Sequence, residues 1–472
     1  MIARDRLVTV VEVLAALLGV AAVAIYLVSL RQTFFFPYAL DWMEGGSIDV
    51  IARVRDGLPT YVAPSAEYVP YRYTPLFFWV GAAMTRLAGV DFVAARLVSL
   101  LSLVGLVTLL YSIVRREGGS RLLAWGAVAL YIGTYDRSIG FFHQARIDSL
   151  FLFLLVSGFY VLRFVPGWRG IVAAAILLWL SFLTKQTALF VVAVGLPLAA
   201  LGAPRRVVTT GALFLLLLFG TNLVMDRLSE GWWGYFVYRL PTLHRLDPAM
   251  WYGFWRYDVA RVMPVALAGA IVFLVASWRT DRARAALYAG LFAGLLACSW
   301  ASRMVDGSAN VLMTAYAAMA IALPLALVGR RRLLAAGALA AQLAILVHVA
   351  VLYHLPPPPP EERESGDRLL RFLQSVDGEV LILDRRFIER RVGKRSWGLE
   401  AAMEDILEST DTDKRTALVN DIIETCRRGR VAGAIDPPPW LITTAPFGTP
   451  VELPGVLSNV RPGFSLYYPL KR

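Results

Sequence analysis

Runs of about 18 to 22 predominantly apolar residues recur along this 472-residue chain, and they leave it one class of fold. A helix of that length rises about 30 Å, the thickness of a bilayer's hydrocarbon core. Inside lipid, a helix satisfies its own backbone hydrogen bonds without water. The runs fall at about 8–30, 92–114, 121–138, 148–163, 169–184, 187–203, 207–225, 258–278, 284–301, 309–328 and 333–354. The expectation is therefore an all-α polytopic membrane protein with about eleven transmembrane helices. Composition agrees, since 57% of residues are hydrophobic and 17% charged, where a soluble chain carries about a quarter charged. The first run is too long for a signal-peptide core and lacks a small-residue cleavage pattern, so it reads as a retained helix. Cys298 and Cys426 offer neither a disulfide framework nor zinc spacing.

The net charge of +12 does not point to nucleic acid, because the arginines punctuate helix ends instead of clustering on one soluble face. With eleven spans, one set of loops is short and arginine-rich: Arg4/Arg6, Arg115/Arg116/Arg121, Arg163/Arg169, Arg205/Arg206, Arg279/Arg282/Arg284 and Arg330/Arg331/Arg332. Those are cytoplasmic by the positive-inside rule. The stretch Pro75–Gly89 is apolar but would cover only about 22 Å; it is expected to be interfacial or re-entrant. Counting it as a span would send every later arginine turn outward. The other loops mix acids, bases and aromatics, and all of them then face outward, on the side opposite the arginine turns. A membrane domain over 1–355 is followed by a polyproline linker at 356–360. Residues 361–472 turn polar and read as a small extracytoplasmic α/β domain: a helix around Leu369–Leu373, a strand at Glu379–Leu383, helices near 398–408 and 414–428, and a strand at Val431–Ile435.

The candidate chemistry lies in the outward loops. Asp41-Trp42-Met43-Glu44-Gly45-Gly46 puts two carboxylates three residues apart at the membrane boundary, where one can take a proton from an acceptor hydroxyl. The glycines after them permit a close backbone approach. The nearby pair Asp49–Arg53, at i and i+4, reads as helix support. Arg72 and Tyr73 follow inside an aromatic cluster. Arg146 and Asp148 stand where the second outward loop, which also holds Asp136, Arg137 and His143, enters a helix. Taken alone they read as an acid on a helix dipole beside a snorkelling arginine. Lys185-Gln186 interrupts an apolar stretch, and a lysine there needs a polar cavity or an anion such as a lipid phosphate. Arg303 and Asp306 precede the polar turn Gly307-Ser308-Ala309-Asn310; an arginine so placed can hold a phosphate or serve only a structural pair. The tryptophans Trp232, Trp233, Trp251 and Trp255 fit an interfacial belt and also allow stacking on sugar rings.

In order, the pieces Asp41-Trp42-Met43-Glu44-Gly45, Gly57-Leu58-Pro59-Thr60-Tyr61, Tyr73-Thr74-Pro75-Leu76-Phe77, Ala95-Arg96-Leu97, Arg146-Ile147-Asp148-Ser149-Leu150, Phe182-Leu183-Thr184-Lys185-Gln186-Thr187 and Gly307-Ser308-Ala309-Asn310 resemble the GT-C superfamily of polytopic glycosyltransferases. Within it, the chain is most similar to the bacterial branch of protein O-mannosyltransferases and aminoarabinose transferases. The resemblance implies an inverting transfer, on the outer face of the membrane, from a polyprenyl-phosphate sugar donor to a glycan, lipid or protein acceptor. It implies an acid of the first outward loop as general base, here Asp41 or Glu44. Many members carry adjacent acids there, and this chain spaces them, so both stay candidates. Arg72, Lys185 and Arg303 would hold the donor phosphate, with Arg146, Asp148, Tyr73, Gln186 and Asp306 completing the pocket. A divalent cation, Mg²⁺ or Mn²⁺, is compatible with Asp41, Glu44 and Asp148 but not required. The competing reading is a lipid or solute transporter, which predicts mid-span ionisable groups and duplicated halves; the sequence has no internal repeat, and its charges gather at one interface.

Overall fold

The computed structural model describes residues 2–243, 245–305, 307–382 and 388–428, together with the strands 433–435, 451–453 and 464–467. Every one of the apolar runs contains a helix. They are α1 (Ile2–Thr33), α4 (Phe92–Arg116), α5 (Arg121–Ile132), α6 (Asp148–Phe164), α7 (Gly167–Thr184), α8 (Ala188–Ala200), α9 (Pro204–Leu228), α10 (Pro264–Thr280), α11 (Arg282–Met304), α12 (Met313–Leu327) and α13 (Arg332–Leu352). Two further helices, α2 (Glu44–Arg55) and α3 (Leu76–Ala88), lie in the connection between α1 and α4. At 13 residues, α3 falls short of a full-length crossing, as do α5 with 12 and α8 with 13.

Length and composition qualify seven of the helices as membrane crossings, and eight if Met250–Ala260 and Pro264–Thr280, bent by 96°, form one span. Eleven full-length spans is more than the helix lengths support. The shortfall has local causes. The run at 121–138 ends as a helix at Ile132, and a 3₁₀ turn at Asp136–Ser138 follows. The run at 187–203 begins only after the break at Lys185 and yields 13 helical residues.

Burial sorts the bundle into layers. Helix α12 is enclosed along almost its whole length. Helix α9 lies at the periphery, where Leu216 and Phe219 stay 67% and 72% exposed, as lipid-facing side chains do. Helices α8 and α11 come into backbone contact at Gly195 and Gly290: a Cβ on Gly195 would stand 2.8 Å from the Gly290 carbonyl oxygen, and one on Gly290 would meet the Gly195 carbonyl. Small residues allow this backbone contact.

The chain after α13 returns to the end of the bundle that carries the connection between α1 and α4. It forms α14 (Pro360–Ser375), β1 (Val380–Ile382), a helical turn at Ile388–Arg391, α15 (Glu400–Leu407), α16 (Thr412–Arg427), β2 (Gly433–Ile435), β3 (Val451–Leu453) and β4 (Phe464–Tyr467). The helix starts at Pro360, where a proline's missing N–H is harmless. The sheet runs in the order β1-β2-β4-β3, with β1 and β2 parallel and the other pairs antiparallel. The Tyr38 hydroxyl donates to Asp367 at 2.6 Å, the Ala66 amide to Asp421 at 2.8 Å and the Gly398 amide to the Ala66 carbonyl at 2.7 Å. Asp49, expected to pair with Arg53, instead lies 3.2 Å from Arg390, while Arg53 donates to the Pro59 carbonyl and covers the Tyr68 ring.

Replacing Gly195 with leucine forces a side chain into the α8–α11 contact. The expected result is a loss on the order of 1–3 kcal/mol, read as a lower unfolding midpoint in detergent, whereas the same change at Gly337, which has open space around its Cβ position, leaves the midpoint unchanged.

Candidate active site

The loop after α1 is built around one guanidinium. Arg96, in the first turns of α4, is fully buried and donates to the carbonyls of Thr33, Phe34, Phe36 and Tyr38 at 2.6–3.2 Å. The same side chain grips Glu44, Nε to Oε1 at 3.0 Å and Nη2 to Oε2 at 2.7 Å. Glu44 also accepts the Leu40 amide at 2.8 Å and the Ala145 amide at 2.6 Å. A carboxylate has about four lone-pair sites, and these four bonds fill them. Burial pushes Glu44 up, yet Arg96 and the two amides outweigh it and hold the carboxyl below its ordinary value. Glu44 stays ionised and turned inward. The Gly45-Gly46 pair lies within α2, and the close approach it permits is to the Tyr71 hydroxyl, which donates to the Met43 carbonyl.

Asp41 stands differently. Its side chain is 4% exposed; Oδ2 accepts Arg146 Nη1 at 3.1 Å, and Oδ1 is buried with no hydrogen-bond partner among the described residues. Burial pushes its carboxyl up to about 6, with Arg146 and the Met43 amide opposing and Glu44 adding to the rise. From Asp41 a line of alternating charges runs inward. Arg146 Nε lies 3.9 Å from Asp148 Oδ2, and Lys185 Nζ donates to Asp148 Oδ1 at 2.7 Å. Asn310 Nδ2 donates to the same oxygen at 3.0 Å. Lys185 sits at the break between α7 and α8: its amide closes the first helix on Ser181, and its carbonyl accepts the Ala188 amide that opens the second. The dipole-and-snorkel reading of Arg146 and Asp148 thus gives way to a buried ion-pair chain.

Segment 71–75 is stitched onto that break. Gln186 Nε2 donates to the Arg72 carbonyl at 2.6 Å, and the Thr74 hydroxyl to the Phe182 carbonyl at 2.7 Å. Tyr73 is thereby brought within electrostatic reach of both Arg146 and Lys185. Arg72 lies at the rim, with Nη1 on Asp405 of α15 at 3.1 Å. Arg303 is tied to Asp258 at 3.0 Å and to the Gly307 carbonyl at 2.6 Å, and Arg137 approaches Asp258 from the other side at 3.8 Å. Asp306, the partner considered for Arg303, lies outside the described residues. Asp258 was hidden in the aromatic segment, where a lone acid carried no signal. His143 is enclosed with Nε2 2.7 Å from the Thr33 hydroxyl, and burial pushes it down to about 4, so the ring is neutral.

The acids considered for a divalent cation do not form a shared cluster. Glu44 is saturated by Arg96 and two amides, while Asp41 and Asp148 face Arg146. Among the described residues no three His, Cys, Asp or Glu side chains converge as a metal site.

The backbone that carries this arrangement has solved counterparts. ArnT from Cupriavidus metallidurans bound to undecaprenyl phosphate superposes with a TM-score of 0.62 over 96% of this chain and 97% of its own, at 13% identity. The archaeal oligosaccharyltransferase AglB from Archaeoglobus fulgidus, in complex with an inhibitory peptide and a dolichol-phosphate, gives 0.51 over 88% of this chain and 68% of that one, at 11% identity. The chain has the GT-C fold. No family model and no curated protein sequence matches it. The fold is therefore visible in the backbone while sequence identity is low, and the likeness covers 97% of that ArnT chain.

Truncating Glu44 to alanine strands Arg96 as an uncompensated buried charge, a loss on the order of 3–5 kcal/mol. The expected outcome is poor yield and a lowered unfolding midpoint. Asp41→Asn, which keeps shape and removes one buried charge, leaves the midpoint within about 1 kcal/mol of wild type.

Proposed function

We propose that this chain is an inverting glycosyltransferase that moves a sugar from a polyprenyl-phosphate donor to an acceptor hydroxyl at the outer face of a bacterial cytoplasmic membrane, with Asp41 as general base. The observation that carries the assignment is the asymmetry of the Asp41 carboxylate. One oxygen is oriented by Arg146, and the other makes no hydrogen bond among the described residues, with the Met43 amide as its neighbouring donor on the loop. Glu44 has no such oxygen, and its role is to fix the loop.

In the proposed step the acceptor O–H proton passes to Asp41 Oδ1 while the acceptor oxygen bonds to the anomeric carbon. The bond from that carbon to the phosphate oxygen breaks on the opposite side, and the electron pair leaves with the polyprenyl phosphate. Negative charge grows on the departing phosphate, and preorganised cations stabilise it. Lys185, Arg72 and Arg303 are the cations proposed for this. Each is already held by a carboxylate, Asp148, Asp405 and Asp258 respectively, so its position is set before a donor arrives. Arg146, Tyr73, Gln186 and Asp148 support them. Eleven crossings, with the short helices α5, α6 and α8 reaching through a locally thinned or protein-lined region, complete the proposed topology and put α2, α3 and the C-terminal segment outside.

Transfer from a radiolabelled polyprenyl-phosphate sugar tests the chemistry. Asp41→Asn is expected to lower the turnover by about 10²–10⁴-fold; equal activity in folded Asp41→Asn protein would sink the base assignment. Because burial holds Asp41 at about 6, and the base works only when ionised, wild-type turnover rises as pH increases through about 6 and that limb vanishes in the variant's residual rate. For the topology, Trp42 is 52% exposed and Arg116 is exposed, while the native cysteines are buried. A cysteine at position 42 is expected to label in intact cells and one at 116 only after permeabilisation; the reverse pattern overturns the orientation.

A further inference from the structure

Helices α6 and α11 give the bundle two distinct ends. Asp148 opens α6 at the candidate site and Arg163 lies near its far terminus, about 22 Å away along the axis; α11 runs the other way, from Arg282 to Met304 beside Arg303. At that far end, the turn after α6, the α8–α9 turn and the start of α11 enclose a cleft of about 440 Å³. Its walls are apolar, formed by Leu162, Phe164, Val207 and Leu287, and its polar groups are Arg163 and Arg206. Arg206 is locked in place: Nε donates to the Leu162 carbonyl at 3.1 Å and Nη2 to the Val165 carbonyl, while Nη1 makes no hydrogen bond among the described residues.

We propose that this cleft seats the phosphate of an anionic phospholipid, with the first methylenes of its acyl chain along the apolar wall. Charge complementarity supports that occupant. The exposed arginines Arg169, Arg205 and Arg282 each lie within three residues of a lining residue, and among the described residues none of them makes an ion pair. Two acids lie near the cleft: Glu117 is consumed internally by Arg163 and Arg284, each at 2.7 Å, and by the Tyr288 hydroxyl at 3.0 Å, while Asp281 caps the start of α11 by accepting the Arg284 amide at 2.9 Å. Depth supports it as well. Trp168 and Leu201, 62% and 66% exposed beside the cleft, mark the level where tryptophan meets headgroups. Basic pockets between membrane helices recognise anionic headgroups through such a combination of fixed guanidinium and apolar wall. The assignment is independent of the proposed transfer reaction, which lies at the other end of the bundle.

The test is native mass spectrometry of the full chain released from mixed phosphatidylcholine and phosphatidylglycerol nanodiscs. Wild type is expected to retain phosphatidylglycerol preferentially. Removing two arginines, Arg205→Gln with Arg206→Gln, lowers that preference on the order of ten- to thirty-fold, at about 1 kcal/mol per cation near a headgroup. Ala203→Phe fills the cleft, leaves every cation in place, and abolishes the bound lipid too. Arg4→Gln with Arg6→Gln removes two exposed arginines elsewhere on the same end and keeps the preference. The proposal is overturned if both lipids are retained equally, if the preference survives Ala203→Phe, if the Arg4/Arg6 variant loses it equally, or if the retained species is a polyprenyl phosphate.

Discussion

A single buried pair, Arg96 with Glu44, decides the shape of the candidate site. Two charges taken out of water attract each other strongly but cost heavily to desolvate, and such a pair is sustained only when its remaining donors and acceptors are also satisfied. Here they are. The guanidinium gathers the carbonyls that trail from α1, and the carboxylate gathers amides from two different loops. The exit of α1, the start of α2, the N-terminal turns of α4 and the loop before α6 thereby share one anchor. Asp41 lies three residues from that anchor and inherits its rigidity.

Against that fixed frame, the second set of charges is poised instead of saturated. Asp41, Arg146, Asp148 and Lys185 alternate in sign along a line almost free of solvent. In such surroundings each charge is felt by its neighbours far more than in water. An incoming anion or a departing proton at one end therefore alters the balance at the other. The unfilled oxygens of Asp41 and Asp148 show where the line has room for change, and the saturated carboxylate of Glu44 shows where it has none.

The helical class, the positions of the hydrophobic helices, the gathering of reactive groups at one end and the placement of the C-terminal segment beside them were legible in the sequence, because apolar length and loop charge are local signals. Roles within the site were not. Asp41 and Glu44 look alike in the chain, and what separates them is Arg96, 52 residues beyond Glu44. Ala95-Arg96-Leu97 stood out only as a piece of a familiar pattern, with nothing to announce a partner. Asp258 and Asp405, which hold Arg303 and Arg72, are lone acids in an aromatic stretch and an ordinary amphipathic helix. The break at Lys185 was legible as an interruption between two runs, whereas helix length was misjudged at 121–138, where the apolar run continues past Ile132 but the helix does not.

The clasp between the α1–α4 connection and the C-terminal segment sets an order of events in the life of the chain. Tyr38, Ala66, Arg72 and Asp91 meet partners 300 to 355 residues further on. At a synthesis rate of about 5–20 residues per second, those partners emerge roughly 15 to 70 s after the loop itself has been delivered to the membrane surface. During that interval the anchor at Arg96 must hold the loop without help, and the rim at Arg72 stands uncovered. The rim of the site is thus completed by a segment made well after the loop it touches, so a chain interrupted before α14 keeps its reactive loop but lacks the partners of Tyr38, Ala66 and Arg72.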